Sequence, residues 1–143
     1  MPNQVAIDTN VLVRCLIDDG THASDSDQTN QAKKLIQKCV QHQIPIFIDA
    51  LVLIETVWVA KSVFKLDKPQ QITLIEQILK TKQFDISNRQ ALFEALLHFV
   101  ENPCDYSDSY IFVQALKHGN EAVYSFDKKS IQSGMKDPLA FEL

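Results

Sequence analysis

A chain of 143 residues with 45% apolar side chains suffices for one domain with a continuous core, so residues 1–143 are read as a single domain. The formal net charge of −4, with 14 scattered cations of which only Arg14 and Arg89 are arginines, argues against a general nucleic-acid coat but not against a few local phosphate contacts. Three cysteines without ligand spacing, no basic-then-apolar leader and no uncharged apolar run near the ~20 residues of a membrane span point to a soluble, cytoplasmic protein with reduced thiols.

Val5 to Ile7 is read as a short buried strand and Asn10 to Ile17 as the helix that follows at once, which leaves Asp8 at a strand's carboxyl end. The polar stretch 18 to 27, with Gly20, predicts a loop that supplies caps for the next helix. In that helix Ala32, Leu35, Ile36, Cys39 and Val40 keep a 3.6-residue spacing and form the expected buried face. After Pro45, Ile46 to Ile48 is a second strand, and Asp49 is placed to cap a helix running through Trp58 toward Phe64, with Leu51 and Trp58 expected to face the core. Pro69 suits a helix first turn, and Ile72, Ile75, Ile78 and Leu79 continue a helix that pairs with its predecessor as a hairpin.

Gln83 to Ile86 is a weak strand, and Ser87 is expected to cap a helix that turns Ala91, Leu92, Ala95, Leu96, Phe99 and Val100 inward until Pro103 ends it. Tyr106 to His118 reads as a helix closed by Gly119, Ala122 to Phe126 as a strand, and Leu139 to Glu142 as a possible edge strand. Strands alternating with helices along the whole chain imply an α/β fold, a three-layer α/β/α sandwich around a parallel sheet.

Five acids stand out on this framework: Asp8 and Asp127 at strand ends, Glu55 inside an apolar helix, and Asp105 and Asp108 around a helix start. In open parallel sheets, ligands bind beyond the carboxyl ends of the strands. Two carboxylates about 4 Å apart cost on the order of 4 kcal/mol at an effective dielectric of ~20, a cost that a divalent cation removes. For Asp8 and Asp127 the alternative is an N-cap, for Glu55 a salt bridge to a lysine, and for Asp105 a cap or a supporting position. His22, His42, His98 and His118 read as structural or solvated, and oxygen ligands without His or Cys favour Mg2+ or Mn2+ over zinc.

The blocks Asp8-Thr9-Asn10-Val11-Leu12, Leu53 to Val59 around Glu55, Asp105 to Ile111, and Ser125-Phe126-Asp127 resemble the PIN-domain ribonucleases, in order and over nearly the whole chain, with the VapC-like toxins of type II toxin–antitoxin pairs the nearest pattern. The resemblance implies a parallel sheet of about five strands with helices on both faces. It implies that Asp8, Glu55 and Asp108 bind metal, that Asp127 is the fourth acid of the pocket, and that Asp105 matches a further acidic position. Thr9 and Ser125 would orient ligands or water, and Asn10 would brace the first loop. Ser109-Tyr110 stands where relatives usually carry Ala-Leu, and Ser125 replaces a common Thr.

The expected activity is Mg2+- or Mn2+-dependent hydrolysis of RNA phosphodiester bonds, leaving a 5′-phosphate, with Arg14, Lys61, Lys117, Lys128 and Lys129 as candidate phosphate contacts or plain surface charges. A cognate antitoxin and a homodimer are the implied protein partners. The competing expectations are a processing or structure-specific nuclease without a toxin role, a Mg2+-dependent signalling domain, for which Asp18-Asp19 are misplaced, and a non-catalytic binding module, against which the full set of acids counts.

Overall fold

The apolar runs Val5–Ala6 (β1), Ile46–Ile48 (β2) and Phe84–Ile86 (β3) pair as a parallel sheet in a computed structural model that describes residues 2–18 and 26–143. Val5 lies opposite Ile46, Ile46 opposite Phe84, and Ile48 opposite Ile86, so β2 is central and its two isoleucines are fully buried. Parallel neighbours need long crossovers. Here α1 (Thr9–Leu16) and α2 (Ser26–Gln41) connect β1 to β2, and α3 (Ala50–Ser62) and α4 (Lys68–Lys80) connect β2 to β3. The expected loop residues 19–25, with Gly20 and His22, lie outside the described residues.

These elements form the first of two compact units, Met1–Ser87 and Asn88–Leu143. Its core is built on Leu12, Ile46, Ile48, Leu53, Ala60, Ile75 and Ile78, all with no exposed surface. α4 begins with a full capping box: the Asp67 carboxylate accepts from Gln70 N, and the Gln70 side chain accepts from Asp67 N, each at 2.9 Å, with Pro69 in the first turn. α3 and α4 pack together as the expected hairpin.

Two faces depart from the sequence pattern. Among the residues of α2 whose burial is described, only Thr29, Ala32 and Cys39 are buried, whereas Leu35 and Val40 face solvent. α2 meets α1 around a polar contact, in which buried Asp18 accepts from the Thr29 hydroxyl at 2.9 Å and from Arg14 at 3.4 Å, and this narrows the apolar stripe. On α3 the buried positions are Ala50, Leu53, Thr56, Val57 and Ala60. Leu51 and Trp58, expected inside, are 59% and 60% exposed, because a helix that is apolar nearly all round gives periodicity no inner face to select.

The second unit is built from α5 (Arg89–Glu101), α6 (Tyr106–Lys117), the short α7 (Lys128–Gln132) and a 3-10 turn at Pro138–Ala140. Leu92, Ala95, Leu96 and Phe99 of α5 are buried as expected, while Val100 is exposed. Tyr106 packs edge-on to Phe99 at 5.7 Å and donates its hydroxyl to Leu92 O at 2.8 Å, and burial pushes its phenol far above the usual range. Ser87 does not cap α5. Asn88 takes that position with φ +53°, and the Ser87 hydroxyl accepts from Ala50 N at 2.8 Å instead.

The sheet has three strands among the described residues, not about five. Residues 122–126 make only a single parallel bridge, Tyr124 to Lys136, since Asp127 already starts α7. The tail turns at Pro138, which lacks the N–H an edge strand would offer, under an Asp137 cap. Cys15, Cys39 and Cys104 are free thiols, and burial pushes Cys15 up to about 11. No helix among the described residues is long and apolar enough to cross a membrane.

Gly134 has φ +120°, and an added Cβ would lie 2.8 Å from the Phe112 ring. Gly134→Ala is expected to destabilise the protein by about 1–3 kcal/mol through overpacking and backbone strain. Leu53→Ala is expected to cost about 2–5 kcal/mol. Denaturant unfolding of the two variants checks both values.

Candidate functional site

In the first unit, Asp8 follows β1 directly with extended backbone angles, and its Oδ1 accepts from Val11 N at 3.2 Å to cap α1. A carboxylate offers about four lone-pair sites, so this cap leaves most of its acceptor capacity. Thr9 and Asn10 form the first turn of α1 beyond it. Asp49 holds the corresponding place after β2, accepting from Leu51 N at 2.9 Å and from the Ser87 hydroxyl at 3.4 Å. The sequence pattern marks Asp49 only as a cap, and the strand order adds that it lies just past the central strand.

Glu55 is solvent-exposed, spaced along α3 so as to share the outer face with Leu51 and Trp58. The expectation that it lies among core residues is therefore corrected, and with it the inference that desolvation demands a partner. Thr56, its neighbour, is the buried polar group there and donates back to Val52 O at 2.7 Å.

The second unit brings three of the acids into one electrostatic group. Asp105 occupies the N-cap position of α6, and Asp108, three residues on, accepts a hydrogen bond from the Asp105 backbone N–H, the return half of a capping box. Asp127 caps α7, its Oδ2 accepting from Ser130 N at 2.9 Å and from the Ser130 hydroxyl at 3.0 Å. These bonds, the backbone one first, hold Asp127 below the usual carboxylate range. Ser125 accepts from Asp127 N at 3.0 Å and braces the turn, which leaves its own proton free to donate.

Half-buried Asp108 goes the other way. Burial first, then the charges of Asp105 and Asp127, push its carboxyl above the usual range, against the opposing effect of hydrogen bonds from Ser130 and from the Asp105 backbone. The Ser130 hydroxyl, almost wholly buried, thus lies between two carboxylates, and its one proton serves one of them at a time. Nothing in the sequence pattern marked Ser130, because only its place three residues into α7 gives it this role.

The sequence pattern marks His98 only as structural or solvated and Ser109 only as a departure from the family's usual alanine; the structure joins the two. His98 Nε2 lies 2.6 Å from Ser133 O, which only accepts, so Nε2 carries the proton and Nδ1 accepts from the Ser109 hydroxyl at 2.8 Å. Cys104 Sγ lies 3.2 Å from that same hydroxyl. The chain ties the first turn of α6, next to Asp108, to α5 and to the end of α7. It also accounts for a serine at 109, where an alanine could bond to neither group.

Among the candidate cations, Arg14 pairs with Asp18 and Lys117 with Glu94 at 3.0 Å, and the hydrogen bonds from Lys117 and Gln90 hold Glu94 below the usual range. Lys61, Lys128 and Lys129 are exposed.

Among the described residues, no three His, Cys, Asp or Glu side chains within either unit gather closely enough to hold a metal ion. Magnesium nevertheless keeps several waters and is commonly bound by one or two carboxylates. The side chains that act on the Asp108 carboxyl, Asp105, Asp127 and Ser130, all offer oxygen donors, which suit a hard divalent cation better than zinc.

Asp105→Asn is expected to bring the Asp108 carboxyl back toward the ordinary range, and Ser130→Ala to raise Asp127, both read by carboxyl 13C NMR titration. Because Asp108 is raised on folding, its contribution to stability is complete below the unfolded carboxyl's pKa of about 3.9 and is lost as pH rises through the folded value. Asp108→Asn is therefore expected to raise Tm in metal-free buffer at neutral pH.

Comparison with curated proteins returns no match. The PIN domain family matches residues 5–133. That span covers most of the chain and includes Asp8, Glu55, Asp105, Asp108 and Asp127, and this protein accordingly belongs to the PIN-domain family, whose members are generally metal-dependent nucleases.

Proposed function

We propose that residues 1–143 act as a single metal-dependent endoribonuclease domain, the VapC-like toxin of a type II toxin–antitoxin pair. The observation that carries the catalytic part is Asp108, a half-buried carboxyl disfavoured in its charged form by Asp105 and Asp127, in a chain of this family. Asp8, Glu55, Asp108 and Asp127 are assigned as the metal-binding acids, with Asp105 as an additional acid, on the family's motif order.

When bound, Mg2+ or Mn2+ supplies a water of lowered pKa and offsets charge on the phosphate and on the departing oxygen. The chain's own residues have more specific tasks. Asp8 and Asp127 are fixed by capping bonds, so their carboxylates meet substrate or ion without first losing rotamer freedom. Ser130 shares its proton between Asp127 and Asp108 and keeps the two from separating. Asp105 adds charge that favours a cation over a proton on Asp108. Thr9, Asn10 and Ser125 support the loops that carry Asp8 and Asp127. Lys128 and Lys129, exposed at the start of α7, are the cations best placed along the chain to contact phosphate beside Asp127; Arg14, Lys61 and Lys117 are assigned weaker parts, two of them already holding carboxylates.

Protein partners belong to the same reading. A homodimer and a cognate antitoxin in the cytoplasm both need apolar surface to bury. Leu51 and Trp58 on α3 supply it in the first unit, and Phe93, Leu97 and Val100, spaced along one side of α5, in the second.

Asp8→Asn and Asp108→Asn are each expected to abolish metal-dependent RNA cleavage while leaving circular dichroism unchanged, and EDTA to abolish cleavage by the parent chain. Full activity in both variants, or activity that survives EDTA, contradicts the assignment. Mg2+ at a hundredfold excess over its Kd should stabilise the parent by about 2.7 kcal/mol and Asp108→Asn by markedly less. Cleavage of RNA set against single-stranded and flap DNA, together with sequencing of 5′-phosphate ends after expression in cells, separates a toxin from a processing nuclease.

A further inference from the structure

A cleft of about 330 Å³ opens between α1 and α2, wholly within the first unit. Its walls follow from helical spacing. Gln28, Gln31, Ala32 and Leu35 recur at i, i+3, i+4 and i+7 along α2, while Asn10 and Arg14 stand one turn apart on α1, with Val11 between them. Closing the two helices over these positions takes apolar side chains at 28 and 31. Glutamines stand there instead, and Leu35 is left 39% exposed at the cleft.

One wall is fixed in advance. Buried Asp18 accepts from Arg14 at 3.4 Å and from the Thr29 hydroxyl at 2.9 Å, so the guanidinium at the cleft is held by a carboxylate that α2 itself secures. A guanidinium fork carries five donors and serves several acceptors at once. Rotamer freedom that a ligand would otherwise have to remove is already reduced. Asn10, Gln28 and Gln31 are exposed, and each amide carries two donors and an acceptor in one plane.

These walls select a ligand. Val11, Ala32 and Leu35 offer apolar surface, no Asp or Glu lines the cleft among the described residues, and its one charged group is the Arg14 cation. A cationic ligand would be repelled, and a purely apolar one would take water from the amides and the guanidinium without replacing their bonds. A volume at the lower end of small-molecule sites admits one ring system rather than a helix. A nucleobase meets all three conditions, with apolar faces and an edge of donors and acceptors. Among the bases, guanine offers O6 and N7 to an arginine fork and its N–H groups to an amide oxygen, whereas adenine turns an amino donor toward the same fork.

We propose that this cleft is a guanine-recognition pocket, in which Arg14 donates to O6 and N7, the amides of Asn10, Gln28 and Gln31 take the N1–H and N2–H edge, and the apolar wall covers the ring. The base has two sources, a free guanine nucleotide and a guanine within a strand. The pocket goes beyond the nuclease reading and does not depend on it. A guanine within a strand would add a choice of sequence close to Asp8, two residues before Asn10.

The test follows 1H–15N amide spectra of the full chain as guanosine 5′-monophosphate, adenosine 5′-monophosphate or ribose 5-phosphate is added. Guanosine monophosphate is expected to give saturable shifts at residues 10–14 and 28–35, adenosine monophosphate to bind on the order of tenfold more weakly, and ribose 5-phosphate to give no saturable shift there. Gln31→Ala, at an exposed position, is expected to keep Tm and to weaken guanosine monophosphate about threefold to tenfold. Arg14→Lys, which keeps the charge but not the fork, is expected to erase the preference for guanine over adenine. An oligoribonucleotide with one guanine and its inosine-substituted counterpart, added to the Asp108→Asn chain, identify the source. Tighter binding than the mononucleotide, weakened by inosine, assigns the base to a strand; equal or weaker binding assigns it to a free nucleotide. Absence of saturable shifts in α1 and α2, equal shifts with both nucleotides, or the same shifts with ribose 5-phosphate overturns the inference and leaves the cleft to a peptide or to no ligand. None of these readouts depends on cleavage, so a parent chain that fails to cut RNA removes the nuclease reading while the spectra still decide on the pocket.

Discussion

Helix N-termini hold most of the aspartates singled out in this protein. Asp8, Asp49, Asp67 and Asp127 each accept a backbone N–H in the first turn of the helix they precede, whereas Asp105 stands at the N-cap of α6 without a side-chain capping bond. An exposed first turn leaves N–H groups without helical partners and carries partial positive charge, so a carboxylate there is both a satisfied acceptor and a favoured anion. The consequence is rigidity: a capping aspartate has few rotamers left, and the direction of its remaining oxygen is set by the helix rather than by the ligand.

Capping and ligand binding are therefore complementary readings of the same residues. A cap uses part of a carboxylate's acceptor capacity and pulls its pKa down, as at Asp127, so the group stays ionised and positioned. Asp108 is the counterpoint. It sits one turn inside α6, half-buried, with Asp105 and Asp127 adding like charge, and its carboxyl is held up rather than down. One favoured and one disfavoured carboxylate are thus linked by a single buried serine hydroxyl. The chain that carries them belongs to the PIN domains, which are generally metal-dependent nucleases.

The support beneath these groups is polar as well as apolar. Cys104, Ser109 and Ser133 are buried and His98 is partly so, and their links bind α5, α6 and the end of α7 beside Asp108. Buried networks of this type are costly when one member is lost, because the others keep their desolvation without their partners. Within the first unit, Asp18 with Thr29 and Arg14 does the same between α1 and α2.

Short-range order was legible in the sequence: β1 to β3, α1 to α6, the Pro69 start of α4 and the Gly119 end of α6 follow from periodicity and from residues whose backbone preferences are local. The motif blocks around Asp8, Glu55, Asp108 and Asp127 carried the family. What stayed hidden depends on neighbours distant in the chain. An apolar helix does not reveal which side it buries, so Leu51, Glu55 and Trp58 were assigned to the wrong face of α3. A strand exists only if a partner pairs with it, and residues 122–126 and 139–142 found one bridge and a capped turn instead. The roles of Ser130, Ser109 and His98 arise because folding sets each beside partners distant in the chain, Asp108 for Ser130 and Ser133 for the Ser109–His98 pair, a condition that tertiary structure alone creates.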